Sequence, residues 1–203
     1  MSTAPTQTTL GIDEVGRGSL AGPVVAAAVM LHCSAEIEGL ADSKLLAPER
    51  RAALVPHITA TALSYAIAWV WPRTIEERNI LQATLLAMQR AHSATVAHLA
   101  EPPLTIVDGK HCPQVRGGCR ALPGADGREP AVMAASILAK QARDAWMHRI
   151  ASRYPGYAFE RNVGYPTPAH LRGLSKLGPC PIHRRSFAPV ARVLAAGVTP
   201  GTR

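Results

Sequence analysis

The chain has 203 residues, 47% hydrophobic and 18% charged, and its 22 lysines and arginines outweigh 14 acidic residues to give a net charge of +8. This composition excludes a disordered chain and predicts a globular domain that buries a core without disulfide support. No window approaches the run of about 18 apolar residues that a membrane span needs, and the N-terminus lacks the apolar region of a secretory signal. The positive charge favours a polyanionic partner such as nucleic acid.

Four segments have the pattern of β-strands. Thr9–Asp13 is short and tolerates β structure, and Val24–Leu31 is an apolar run typical of a buried strand. Leu63–Trp71 alternates, with its large apolar side chains at one parity. Leu104–Val107 is a short apolar strand that delivers Asp108 at its end.

Three further segments have helical patterns. Pro48 suits the first turn of a helix, which we expect Pro56 to disrupt. Thr74 is followed three residues later by Glu, a capping-box pattern that predicts a helix over about Ile75–Leu99. Ala131–Ser152 contains neither Gly nor Pro and carries an apolar stripe. Strands followed by a helix, a strand and more helices predict a layered α/β or α+β domain.

The few acidic residues stand where chemistry could use them. Asp13 and Glu14 follow an apolar strand, and one site for both requires that strand to end or bulge, because neighbours in a strand face opposite sides. Asp108 also follows a strand, and Asp126 lies in a Gly/Pro-rich loop. Converging carboxylates need a cation, and oxygen ligands alone select Mg²⁺ or Mn²⁺. From spacing alone, each Asp could equally be a turn former or a helix cap.

The four cysteines show no C-x-x-C spacing and no disulfide framework. We therefore predict free thiols in a reducing cytosol. A zinc site at His111, Cys112 and Cys119 is the alternative, although its spacing does not match a finger or ribbon.

Six ordered blocks carry a resemblance to a known family. The stretch GIDEVGRGSLAGPVV at Gly11–Val25 closely resembles the opening motif of type 2 ribonucleases H, specifically bacterial ribonuclease HII. The resemblance continues in family order through the blocks DSKLL at Asp42–Leu46, VDG at Val107–Gly109, AASILAK with RD at Ala134–Asp144, YPGY, GYPT and HL at Tyr154–Leu171, and HRRSFAP at His183–Pro189.

The resemblance implies a ribonuclease H-like α/β fold, in which a central five-stranded mixed sheet is flanked by helices and followed by a helical C-terminal part. We expect a flexible N-terminus over residues 1–8, a single catalytic domain over 9–192 and a flexible tail over 193–203. The implied activity is that of an endonuclease that hydrolyses the RNA strand of RNA–DNA hybrids. It would also cut 5′ of single ribonucleotides embedded in duplex DNA, leaving 3′-hydroxyl and 5′-phosphate ends.

The resemblance also implies the catalytic residues. The family's four carboxylates map onto Asp13, Glu14, Asp108 and Asp126, which would hold one or two Mg²⁺ or Mn²⁺ ions. The assignment of the fourth carboxylate to Asp126 rests on its distance to the AAS motif, because Ala125 stands where the family usually has Gly. Glu129 is its nearest alternative.

Substrate contacts follow from the same resemblance. The Gly16-Arg17-Gly18 turn would read the 2′-hydroxyl of the ribonucleotide, and Tyr165 would pack on the sugar of the next deoxynucleotide. Asn162 stands where the family often has His, which puts an auxiliary role for such a histidine in doubt. We also expect substrate or phosphate contacts from Lys44, Ser136, Lys140, His183, Arg184 and Arg185.

The implied partners are RNA–DNA hybrids and ribonucleotide-containing duplex DNA, without a membrane. We expect a cytoplasmic monomer that removes ribonucleotides from DNA, and the tail after Pro189 shows no clamp-binding peptide. Three alternatives remain open. They are another metal nuclease on the same fold, a ribonuclease HIII with an extra N-terminal domain, and a hybrid-binding module without activity.

Overall fold

The computed structural model describes residues 7–41, 43 and 46–198. Within them lie five strands and seven helices. The strands are β1 (Thr8–Val15), β2 (Val24–His32), β3 (Ser64–Val70), β4 (Thr105–Asp108) and β5 (Cys119–Leu122). The helices are α1 (Pro48–Thr61), α2 (Pro72–Arg78), α3 (Ile80–Thr95), α4 (Pro130–Ala151), α5 (Phe159–Asn162), α6 (Pro168–Leu177) and α7 (Ala188–Ala195), with a 3₁₀ turn at Ala125–Gly127.

The strands form one mixed sheet in the order β3-β2-β1-β4-β5, which confirms the predicted five-stranded sheet. β1 is antiparallel to β2 and parallel to β4, and β5 is parallel to β4. Because β1, β4 and β5 run in the same direction, their carboxyl ends lie at one edge of the sheet. In open α/β sheets this edge is where ligands bind.

The chain divides into two compact units. The first contains the described residues of Met1–Val15, Val25–Trp69 and Thr84–Gln141, and the second contains those of Gly16–Val24, Val70–Ala83 and Ala142–Arg203. The single domain over residues 9–192 stays a prediction. α7 ends only at Ala195, so helix continues past residue 193, where we placed the start of the tail. Residues 1–6 and 199–203 of the predicted flexible ends lie outside the described residues.

The core of the first unit lies between the sheet and two helices. β2 is buried from Val24 to Leu31, as expected for a strand covered on both faces. Alternate residues of β2 pack with Leu54 and Ile58 of α1 and with the apolar face of α4. The segment that the sequence predicts as the longest buried strand therefore supports both helices.

α4 begins in direct contact with the backbone of β1. A Cβ atom at Gly11 would lie 2.3 Å from the carbonyl carbon of Ala131 and from the amide nitrogen of Val132. Only glycine therefore permits this approach, which brings the first turn of α4 against β1 two residues before Asp13.

The second unit has its own core, which includes Ala21, Met147, Tyr157, Phe159 and Val163. The rings of Tyr157 and Phe159 stack with their centroids 5.2 Å apart. These contacts hold the segment before β2 against the C-terminal helices, which form the helical part that the sequence predicts.

Two helix predictions were wrong. The helix expected over Ile75–Leu99 is two helices, α2 and α3, which are separated at Asn79, where φ is 68°. Thr74 does not cap either helix, because Pro72 already supplies the first turn of α2. α1 continues through Pro56 to Thr61, and the buried Leu54 and Ile58 on either side stabilise the helix despite the lost hydrogen bond.

The residue patterns predicted only four strands and missed β5. Its four residues, Cys-Arg-Ala-Leu, show no alternation, and the strand forms because it pairs with all four residues of β4. α4 was predicted to within one residue at each end. Among the described residues, no helix is long and apolar enough to span a membrane.

We expect Gly11→Ala to lower the free energy of unfolding by about 3 kcal/mol, because the added methyl group overlaps the backbone of α4. Gly127→Ala is the control, since no atom lies within 4 Å of its Cβ position, and it should change stability by less than about 0.5 kcal/mol. Urea denaturation measures both. Equal stability of the two variants would contradict the contact.

Candidate active site

Three acidic residues lie near the carboxyl ends of the parallel strands, at one edge of the sheet. Ile12 pairs with Val107, so Asp13 and Asp108 are the next residues on neighbouring strands. β5 ends beside Asp108, and Asp126 follows in the 3₁₀ turn. The amide of Ala125 donates a hydrogen bond of 3.0 Å to Oδ1 of Asp108. This bond attaches the turn that carries Asp126 to the end of β4.

Asp13 is a buried carboxylate among other negative charges. It is 4% exposed, and its Oδ1 accepts a hydrogen bond of 2.7 Å from the amide of Glu14. Burial chiefly, and then the negative charges of Glu14 and Asp108, raise the pKa of Asp13 well above its usual value. Glu14 and Asp108 therefore lie close enough to Asp13 for their negative charges to repel its carboxylate.

The strand that carries Asp13 and Glu14 neither ends nor bulges at these residues, contrary to our expectation. β1 stays in register with β2 as far as Val15, which pairs with Val25. Neighbouring side chains in such a strand point to opposite faces. Asp13 is buried while Glu14 is only half-buried, so the two carboxylates lie in different environments.

Ser136, for which we expected a substrate contact, is buried in the first unit. Its hydroxyl hydrogen-bonds to Asp13 and lies 2.5 Å from the hydroxyl of Ser43. Nη1 of the buried Arg51 donates to the carbonyls of Ser43 and Leu46, at 3.1 and 2.5 Å. Ser136 therefore orients Asp13. The sequence pattern gives no role to Arg51, because an arginine side chain on a helix is normally exposed.

Two predicted lysine contacts have different outcomes. Lys140 is half-buried one helical turn after Ser136, so both residues share a face of α4. Lys44 lies outside the described residues. Neither lysine is assigned a substrate contact by geometry.

The donor set of the carboxylates suits a hard divalent ion. Among the residues that the structure describes, no three His, Cys, Asp or Glu side chains enclose a point where a metal ion could sit. Mg²⁺ is commonly held by one or two carboxylates together with waters and substrate phosphates, so an open carboxylate set fits it. All four cysteines are free, and a zinc site at His111, Cys112 and Cys119 stays an untested alternative.

In the second unit, the two glycines of the Gly16-Arg17-Gly18 turn have different surroundings. Gly16 is buried with φ of 88°, and a Cβ atom there would lie 2.2 Å from Nε of Arg143. Gly18 is exposed, and its Cβ position lies 4.0 Å from Cε1 of Tyr165. Gly18 and the Tyr165 ring therefore lie next to each other.

Burial argues against two of the predicted phosphate contacts. Arg184 is fully buried, and its guanidinium donates to the carbonyls of Gly22 and Arg17 at 3.0 and 2.9 Å. His183 is 2% exposed. Arg185 is exposed, and its backbone amide donates to Oε1 of Glu76 at 2.6 Å.

A chain of neutral histidines supports the backbone of Tyr165. The amide of Cys180 donates to Nδ1 of His183, which places the proton of that neutral ring on Nε2. Nε2 of His183 then donates to Nε2 of His170 at 3.0 Å, and Nδ1 of His170 donates to the carbonyl of Tyr165 at 2.8 Å. Burial first, and then the neighbouring His170, lower the pKa of His183 to about 3.

Asn162 has a structural role in the same unit. Its Nδ2 donates to the carbonyl of Tyr157, and its Oδ1 accepts from the amide of Gly164, both at 2.8 Å. The side chain is buried. It therefore holds the loop that leads to Tyr165.

Comparisons with known proteins agree with this geometry. The sequence model of the family described as Ribonuclease HII matches residues 10–190. The chain is 48% identical over 195 residues to the ribonuclease HII of Cupriavidus metallidurans, covering 96% of this chain and 86% of that protein. The chain belongs to the ribonuclease HII family. It is therefore a hydrolase, an RNase H endonuclease that acts on RNA–DNA hybrids.

Two solved structures share the fold of this ribonuclease HII. The crystal structure of ribonuclease H2 from Pyrococcus horikoshii matches with a TM-score of 0.78 and 24% identity, covering 94% of this chain and 98% of that one. The ribonuclease HIII designated Bst, crystallised in complex with Mn²⁺, matches with a TM-score of 0.75 and 21% identity, covering 94% and 70%. The predicted ribonuclease H-like fold is thereby confirmed.

We expect Asp13→Asn to raise the free energy of unfolding in EDTA by about 1 kcal/mol, because it removes a buried negative charge from a repelling set. Since the pKa of Asp13 is raised by folding, its ionised form costs stability at neutral pH. Mg²⁺ or Mn²⁺ should then raise the unfolding temperature of the unchanged enzyme but not of the variant. Glu101→Gln, at an exposed carboxylate, is the control and should show neither effect. A destabilised variant that still responds to metal would refute the assignment.

Acid should weaken the fold through His183. Its folded-state pKa of about 3 lies below the unfolded value of about 6.5, so the unfolded chain binds more protons as pH falls through this window. Between pH 6 and 4.5 we expect the free energy of unfolding to fall less steeply in His183→Asn than in the unchanged chain, by about 1 kcal/mol per pH unit. His98→Asn, an exposed control, should keep the original slope. Identical slopes in all three proteins would contradict a neutral buried pair.

Proposed function

We propose that this ribonuclease HII cuts 5′ of single ribonucleotides embedded in duplex DNA, as well as RNA–DNA hybrids, and leaves 3′-hydroxyl and 5′-phosphate ends. One observation carries the proposal. Asp13 and Asp108 come directly after the paired residues Ile12 and Val107 on parallel neighbouring strands, and the Gly16-Arg17-Gly18 turn follows the last residue of β1, Val15, directly. The chain thus passes from a carboxylate cluster directly into a turn suited to sugar recognition.

The carboxylates would perform the hydrolysis. We assign Asp13, Glu14, Asp108 and Asp126 to divalent-metal binding, with Mg²⁺ or Mn²⁺ as the ion. When bound, the metal supplies the Lewis acidity that activates a water and stabilises the leaving 3′-oxygen. The chain's own contribution is orientation. Ser136 and the amide of Glu14 direct the Asp13 carboxylate, and the amide of Ala125 directs Asp108. No side chain need act as the nucleophile.

The turn and Tyr165 would select the ribonucleotide. The 2′-hydroxyl is the group that distinguishes RNA from DNA, and a glycine-containing turn lets backbone donors and acceptors approach it. The exposed Gly18 next to the Tyr165 ring supports this role, since the ring could pack on the following sugar. Phosphate contacts are proposed for Arg185, Lys140 and Lys44.

The remaining expectations have no structural test. A monomeric state, a cytoplasmic location and the lack of a clamp-binding peptide after Pro189 stay predictions. A function in removing ribonucleotides from DNA would follow from the proposed substrate.

The deciding experiment uses a labelled DNA duplex with one ribonucleotide, beside an all-DNA duplex and an RNA–DNA hybrid. With Mg²⁺ or Mn²⁺ we expect a cut on the 5′ side of the ribonucleotide, no cut in all-DNA, and no activity in EDTA. Asp13→Asn should lower the cleavage rate by at least about a thousandfold, in the range expected for loss of a metal-site ligand. It should still bind the hybrid.

Glu101→Gln should cleave at the unchanged rate, since its carboxylate is exposed and unrelated to the site. Cleavage of the long hybrid alone would remove the recognition role proposed for the turn and Tyr165. Full activity of Asp13→Asn would remove the metal assignment.

A further inference from the structure

Two arginines are the largest fully buried side chains of the second unit. Arg143 donates from Nε to the carbonyl of Pro23 at 3.0 Å, from Nη2 to Ala21 at 3.1 Å, and from Nη1 to Val163 at 2.9 Å. Burial is the first cause that lowers its pKa, but a guanidinium stays protonated at neutral pH. A buried positive charge is therefore held by backbone carbonyls.

Arg184 binds two further carbonyls of the same segment. Its guanidinium donates to those of Gly22 and Arg17. The two guanidiniums thus bind four carbonyls within the seven residues from 17 to 23. This short segment is fixed mainly by side chains from α4 and from the HRRSFAP block, which are remote in the sequence.

The bond to Arg17 determines how the turn faces solvent. In a planar trans peptide the carbonyl and the following N–H point in opposite directions. Because Arg184 holds the Arg17 carbonyl toward the interior, the N–H of Gly18 is turned away from the guanidinium. Arg17 and Gly18 are both exposed, so this side of the peptide is the one a substrate can approach.

Arg143 supports the other half of the recognition surface. Its Cζ lies 5.6 Å from the centroid of the Tyr165 ring, a cation–π distance. The space that its guanidinium occupies exists because Gly16 has no side chain. Gly16 therefore serves the packing of Arg143, while Gly18 leaves room in front of Tyr165.

We propose that Arg143 and Arg184 are positioning residues for ribose discrimination: by binding the carbonyls of the 17–23 segment they fix the turn so that the N–H of Gly18 faces the 2′-hydroxyl. This inference rests on the proposed function of the Gly16-Arg17-Gly18 turn. Neither arginine needs to touch the substrate. The phosphate contact expected of Arg184 is replaced by this role.

The test measures binding in the full chain carrying Asp13→Asn, at one fixed salt concentration. The dissociation constant for a duplex with one ribonucleotide is compared with that for the all-DNA duplex of the same sequence. We expect the ribonucleotide duplex to bind about tenfold more tightly. Arg184→Lys keeps the charge but loses the planar fork, so the ratio should fall below about twofold while all-DNA affinity changes by less than about twofold.

Two controls separate the possible results. Arg73→Lys makes the same change at an exposed arginine of α2 and should keep the tenfold ratio. Gly18→Ala tests the turn itself. Its methyl group meets no atom closer than 4.0 Å, so the fold should tolerate it while recognition is lost.

If Gly18→Ala abolishes the ratio but Arg184→Lys does not, the inference fails and the proposed function stands. Equal weakening of both duplexes by Arg184→Lys, with the ratio kept, also overturns the inference. If Gly18→Ala leaves the ratio intact, or if the chain carrying Asp13→Asn alone binds both duplexes equally, the proposed function of the turn fails instead. If Arg184→Lys shows no cooperative thermal unfolding, the two dissociation constants are measured for Arg143→Lys. Their ratio should then fall below about twofold in the same way.

Discussion

The contact between Gly11 and the first turn of α4 is the constraint on which the first unit depends. It lets a helix lie directly on the backbone of β1, and that helix carries Ser136 to Asp13. The parallel pairing of β1 with β4 then places Asp108 beside Asp13. A missing side chain in one strand thus determines where β1, β4 and α4 meet at the carboxylates.

Both units bury charged side chains. The first holds Asp13 near two other carboxylates, and the second holds Arg143 and Arg184. Buried charges cost free energy unless hydrogen bonds compensate them. The arginines bind backbone carbonyls, so their cost is offset within the protein. Asp13 accepts hydrogen bonds from Ser136 and from the amide of Glu14, but its pKa stays raised by burial and by the neighbouring negative charges, so these bonds offset only part of its cost.

Much of the fold and part of the site could be predicted from the sequence. Val24–Leu31 and the α4 segment have strong apolar patterns, and the ordered motifs identified the family. β5 was missed because four residues without alternation form a strand only through pairing with β4. The break at Asn79 was missed because a positive φ at a single residue interrupts no periodicity. Arg184 was misassigned because charge in a sequence indicates exposure, and only tertiary structure shows that its donors bind Gly22 and Arg17.

The neutral histidine chain has a consequence for kinetics. Because burial lowers the pKa of His183 to about 3, this ring supports His170, and through it the Tyr165 carbonyl, as an uncharged donor from mildly acidic to alkaline solution. An ionisation seen between pH 5 and 8 in the rate profile of this enzyme therefore need not be assigned to His183. A bell-shaped or sloping profile would report on other groups of the enzyme.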